Sequence, residues 1–204
     1  MKKNLKHYAW MLVVLFVFCA LSGYEVQAAS KASKAKMAYK SFLTDIYKKK
    51  DFRQLKDMQY GDIYFVVKDF SGDKVPDMLI KHTYCSPCEY YLYTYRNGQV
   101  KKLKSLSYYV NGEPWKFYPK KHVIMATEGD SWDADTIYYK VTSKKARIVA
   151  REKNGKYYVN GKVVSYSKYT SYVKSLTKGK AYSFEKGIYK FRKNTAKNRK
   201  KYIK

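Results

Sequence analysis

The stretch that decides the fold is IYFVVKDFSGDKVPDMLIKHTYCSPCEYYLYTYRNG, residues 63–98. Ile63–Val67, Met78–Tyr84 and Glu89–Tyr95 are rich in β-branched and aromatic residues, each bounded by turn formers, which is the pattern of strands. Asn97-Gly98 then leads into Gln99–Lys104, and an Asn-Gly pair between two such runs specifies a tight hairpin. The same grammar continues downstream with YYV before Asn111-Gly112, then His122–Thr127, Thr136–Val141, Ala146–Glu152, Lys156–Val159 and KVVS after Asn160-Gly161. Short strands separated by turns at this spacing predict an antiparallel meander of roughly seven to ten strands.

Helical periodicity brackets the strands. Ala35, Ala38, Tyr39, Phe42, Leu43 and Ile46 fall on one stripe of a helix over 32–50, with lysines elsewhere. A second helix is expected after Ser167 as N-cap, through KYTSYVKSLTKG to Gly179. The expected fold class is therefore α+β, with an N-terminal helix packed on a mainly antiparallel meander sheet and a late C-terminal helix. YVNGEPW (109–115) and YVNGKVV (158–164) read as two similar hairpins.

The first 29 residues have the form of a secretory signal peptide: Lys2, Lys3 and Lys6, then an apolar run from Ala9 to Leu21, then small residues at Ala28 and Ala29. The apolar run is short for a spanning helix, which needs about 20 residues, so no transmembrane segment is expected after cleavage. Val17-Phe18 before Cys19 lack the small residue that a lipid-attachment site needs. Residues 30–182 are expected as one secreted domain, and 183–204 as a basic, mobile tail with little to bury.

Charge sets the expected surroundings. The chain carries 43 basic and 16 acidic residues, a net +27. Removing the leader takes three lysines and Glu25, which leaves 40 against 15, or +25. That imbalance favours polyanionic partners such as cell-wall polymers or acidic glycans, with no signal for specific nucleic-acid recognition and none for oligomeric state. The strand tyrosine pairs, Tyr90-Tyr91 and Tyr138-Tyr139, would by alternation send one ring inward and one outward, giving a Lys/Tyr outer face suited to stacking on sugars and pairing with anions.

Asp69–Asp77 places oxygen ligands at alternate positions: Asp69, Ser71, Asp73, the Val75 carbonyl and Asp77. Such spacing lets a short loop wrap a hard cation, and calcium is the expected cofactor if there is one. The other reading is an acidic turn whose carboxylates cap backbone N–H groups. DFSGDKVPDML, followed by YTYRNGQVKKL and later YYVNGKVVSYSKYTSYVKSL, resembles a group of secreted proteins of clostridia-type Gram-positive bacteria that carry a D-x-D-G-D-G-x-P-E-L loop between two strands. The resemblance spans about residues 37–178 and implies a secreted or wall-associated location and this build, but no activity. The loop itself is similar to the calcium loops of EF-hands and integrin-type repeats. Ser71 in place of a carboxylate and Lys74 in place of glycine depart from that pattern. What remains implies weak affinity, on the order of 10⁻⁴ to 10⁻³ M.

Cys85 and Cys88, in CSPC, remain after the leader is lost. An exported setting favours a structural disulfide across the turn. A redox dithiol would need a helix after it, and a strand pattern follows instead. A metal reading adds His82 but lacks a fourth ligand. In EGDSWDAD (128–135), Trp132 sits among carboxylates and, with Trp115, is a candidate sugar contact. No catalytic motif is present, neither G-x-S-x-G, H-E-x-x-H nor a phosphate-cradling loop. A non-enzymatic envelope or interaction protein is expected, with a hydrolase or thiol enzyme of unrecognised site as the alternative.

Overall fold

A computed structural model of the chain describes residues 30–53, 62–83, 88–108, 115–128 and 135–204. The expected leader, Cys85, the expected Asn111-Gly112 turn and Trp132 lie outside the described residues. The strands are β1 (Asp62–Lys68), β2 (Asp77–Thr83), β3 (Cys88–Arg96), β4 (Gln99–Tyr108), β5 (Lys116–Tyr118), β6 (Val123–Glu128), β7 (Asp135–Val141), β8 (Ala146–Lys153), β9 (Lys156–Val159), β10 (Lys162–Val164), β11 (Tyr182–Ser183) and β12 (Arg192–Lys193). Three helices accompany them: α1 over 30–44, α2 (Tyr166–Leu176) and α3 (Ala196–Tyr202).

The expectation of one meander sheet under an N-terminal helix is corrected here: the chain is mostly β and builds two antiparallel sheets. The order in the first is β12-β1-β2-β3-β4, and in the second β10-β9-β8-β7-β6-β5-β11. The physical reason lies in the strands themselves. Leu79, Tyr90 and Leu92 point to one face of the first sheet and Met78, Ile80, Tyr91 and Tyr93 to the other, and all are buried. A sheet that is apolar on both faces needs two covers. The second sheet supplies one, through Trp115, Phe117, Ile124, Ile137 and Tyr139. Helix α1 supplies the other, with Ala35, Tyr39 and Leu43 against Phe65, Met78 and Ile80. Helix α2 in turn covers the outer face of the second sheet, where Tyr169 and Leu176 meet Val123, Met125 and Tyr138.

The outer Lys/Tyr face inferred from alternation is therefore not a surface. Tyr90 and Tyr91 are 5% and 7% exposed, Tyr138 and Tyr139 7% and 2%. Tyr90 stacks on Trp115 with ring centroids 4.0 Å apart, while Tyr91 meets Phe52 on the α1 side.

The hairpins are set by Asn-Gly turns. Asn97, Asn154 and Asn160 have φ of 53°, 49° and 48°, each followed by a glycine also at positive φ. Positive φ at both central residues makes the turn whose twist matches its strands. Helix α2 starts two residues earlier than its sequence signals suggest. Ser165, not Ser167, is the N-cap, accepting from the Lys168 N–H at 3.4 Å, and Tyr169 and Leu176 form the buried face.

Residues 183–204, expected as a mobile tail, are packed into the fold. Strand β11 adds to β5 and β12 adds to β1, so one segment edges both sheets. Between them Phe184 and Tyr189 enter the core of the sandwich, at 2% and 8% exposure. Ile203 closes the α1 side at 1%, and the Asn194 side-chain amide donates to the Leu43 carbonyl at 2.9 Å.

Candidate functional site

The Asp69–Asp77 turn joins β1 to β2, and its carboxylates face their own backbone. Asp69 accepts from the Gly72 N–H at 2.6 Å through one oxygen and from the Lys74 N–H at 2.9 Å through the other. Asp73 Oδ1 accepts from the Val75 N–H at 3.0 Å and the Ser71 hydroxyl at 3.2 Å. Asp77 Oδ2 accepts from the Phe70 and Ser71 N–H groups at 3.0 and 2.9 Å. Turn donors that would otherwise be unsatisfied are thereby paired. Asp77 is fully buried. Burial pushes its carboxyl up to about 7, against hydrogen bonds from Thr94, Ser71 and Phe70 that pull the other way.

These capping bonds are those of the acidic-turn reading. Asp77 is sealed and committed to two N–H groups, Asp69 spends both oxygens on the turn, and Val75 is buried. Lys74, at φ 64°, sits where a calcium loop has glycine. Among the described residues no three His, Cys, Asp or Glu side chains are grouped so as to hold a metal. Millimolar calcium is expected to leave the melting temperature unchanged. A rise that Asp73→Ala abolishes would reinstate the ion.

The turn is also clamped from the second sheet. The ring of His122 lies over Gly72: a Cβ at position 72 would fall 2.2 Å from His122 Cε1 and 2.4 Å from Nε2. His122 is itself held at φ 51° after the Pro119–Lys121 turn, and its carbonyl accepts from the Val141 N–H at 2.9 Å. Sequence reasoning placed His122 at the head of a strand and did not pair it with Gly72. A contact across 50 residues leaves no local signal.

The other candidates separate. Trp115 is core, 4% exposed against Tyr90, and so is not a surface sugar contact. Trp132 lies outside the described residues. Next to it, Asp135 is buried and engaged by Arg151, whose Nε donates at 3.1 Å and whose Nη2 also bonds the same oxygen. Cys88 opens a strand, β3, and not a helix; the disulfide expected between it and Cys85 falls outside the described residues. His82 is buried on the α1 side of β2, and burial holds its imidazole below the usual range. Neither it nor His122 lines the groove along β1 or the one along β8.

Charge is the site-like feature that survives. From residue 136 onward there are 21 lysines and arginines and two acidic residues, Glu152 and Glu185. Two like-charge pairs stand directly opposite each other in the second sheet, Lys140 with Arg147 and Lys153 with Lys156. Like charges in that position destabilise a sheet by some tenths of a kcal/mol each, on the order of 0.2–1. Lys162 on β10 and Lys168 and Lys174 on α2 are exposed as well. Asp51 pairs with Lys102 at 2.7 Å, Asp62 with Lys193 at 2.8 Å, and the three turn aspartates with backbone, while Glu152 on β8 is the acidic residue within the flank itself.

No family model, no curated protein and no solved structure matches the chain. No helix among the described residues is long and apolar enough to cross a membrane.

Proposed function

We propose that this is a secreted, envelope-associated protein without catalytic activity that binds anionic polymer through the lysine flank formed by β8–β10 and α2. The observation that carries the reading is the pairing of Lys153 with Lys156 in the last third of the chain, which holds 21 basic and two acidic residues. Such a pair works against the fold, and a bound polyanion removes the repulsion. The strand pairs Tyr90-Tyr91 and Tyr138-Tyr139 belong to the core, so the reading rests on lysine and is electrostatic. A leader, a basic surface and sugar- or phosphate-rich surroundings form one consistent set.

Titration with poly(glycerol phosphate) tests it. Affinity is expected to fall steeply from about 50 mM to about 500 mM NaCl, as screening shortens the reach of each charge. The variant Lys153→Glu/Lys156→Glu/Lys162→Glu is expected to weaken binding about tenfold or more, roughly 1.4 kcal/mol, with an unchanged melting temperature. No binding by the wild type, or binding indifferent to salt, removes the reading.

A further inference from the structure

Strand β12 covers only part of β1. Its two residues pair with Tyr64 and Phe65, and the Asn194 N–H donates to the Ile63 carbonyl at 2.7 Å. Backbone groups alternate sides along a strand. Ile63, Phe65 and Val67 therefore present theirs toward β12, while Tyr64, Val66 and Lys68 face β2. Beyond Phe65 the partner turns away, and the Phe191 N–H donates across to the Phe184 carbonyl at 3.0 Å. No strand among the described residues pairs with Val67 on that side.

A groove of about 240 Å³ lies along this open half of β1. Its lining includes Val66 and Val67 and, facing them from the C-terminal segment, Ile188 and Tyr202. Ile188 is 63% exposed, an apolar side chain with nothing over it among the described residues. Lys68, Lys190 and Arg192 also line the groove, and no carboxylate does. The Arg192 guanidinium is held over the Tyr202 ring at 4.4 Å, and its Nη2 lies 3.5 Å from the Gly187 carbonyl. A backbone donor and acceptor, an apolar anchor and three cations thus share one edge.

We propose that this edge docks an extended acidic peptide from another protein, which adds to β1 as a further strand. Its backbone pairs with the N–H and C=O of Val67, one apolar side chain lies against Ile188, and its carboxylates face Lys68, Lys190 and Arg192. Strand addition of this kind takes affinity from the main chain and specificity from alternate side chains. A second copy of this chain would bring the same three cations into register, and opposed like charges cost several kcal/mol. A polyol phosphate has no repeating N–H to offer Val67. The site is separate from the β8–β10 flank, and its partner is of another class.

The probe is a fluorescent peptide of alternating glutamate and valine, compared with one of the same sequence N-methylated at every second residue, which keeps the charge and removes alternate N–H donors. The unmethylated peptide is expected to bind saturably and the methylated one about tenfold more weakly or not at all. Val67→Pro removes the outward N–H at an edge position where proline is tolerated, and is expected to weaken binding to a similar degree. Ile188→Asp, on an exposed side chain, is expected to do the same without altering the melting temperature. The triple glutamate variant of the β8–β10 flank should bind the peptide as the wild type does. Equal binding of both peptides, or loss of binding in the flank variant alone, would mean general charge attraction and overturn the proposal, as would no saturable binding.

Discussion

Asp77→Ala is expected to lower the melting temperature by about 10 °C, whereas Asp77→Asn is not. The alanine variant leaves the N–H groups of Phe70 and Ser71 without their acceptor, at 3.0 and 2.9 Å in the wild type. An unsatisfied buried donor costs about 1–3 kcal/mol, so two place the loss at about 3 kcal/mol or more, and each kcal/mol is worth roughly 2–4 °C in a domain of this size. Asparagine keeps a carbonyl acceptor. It also removes a carboxyl that burial has pushed up to about 7, against about 3.9 in the unfolded chain. A group whose folded value is raised contributes stability that is complete below pH 4 or so and is lost as pH rises toward 7. The limiting slope is about 1.4 kcal/mol per pH unit. His82 works in the opposite sense, because its lowered value makes the fold less stable as pH falls below about 6.5. The informative quantity is therefore the difference between the two melting profiles. Asp77→Asn should gain steadily on the wild type from pH 4 to pH 7 and stay ahead above it. A constant difference would mean that Asp77 titrates alike in both states.

Gly72→Ala is expected to cost about 2–4 kcal/mol, large for the addition of one methyl group. Two effects combine. Position 72 has φ +81°, where a Cβ is strained by roughly 1 kcal/mol. The new methyl would also lie 2.2 Å from the His122 ring, so the imidazole must swing out of its place over the turn. Substituting His122 in the same chain should recover the steric part, so Gly72→Ala/His122→Ala is expected to be at least about 1 kcal/mol more stable than the sum of the single variants. Strict additivity would place the whole cost in the backbone and dissolve the clamp between the β1–β2 turn and the second sheet.

Much of the strand order was legible because Asn-Gly pairs act locally. Asn97-Gly98 and Asn160-Gly161 fix hairpins wherever they occur. The break between β4 and β5 was not legible, since successive hairpins look the same whether they extend one sheet or start another. EYYLYTY held the clue: large side chains at consecutive positions need cover on both faces, and Trp115 and Phe52 provide it. The C-terminal segment misled through its lysines, which hide the anchors Phe184, Tyr189 and Ile203. At the turn, the spacing of Asp69, Asp73 and Asp77 showed that oxygens would gather. It could not show that they would turn toward backbone N–H groups, which depends on dihedrals that a one-dimensional pattern does not carry.

The most direct test of anionic-polymer binding is co-sedimentation of residues 30–204 with Gram-positive cell walls, intact and stripped of teichoic acid, across a salt series. The expected result is binding that requires the polymer and falls away as salt rises. Equal, salt-resistant binding to stripped walls would contradict it and point to recognition of the glycan itself. Binding to neither would leave the lysines as a solvated surface and bring an enzyme of unrecognised site to the front.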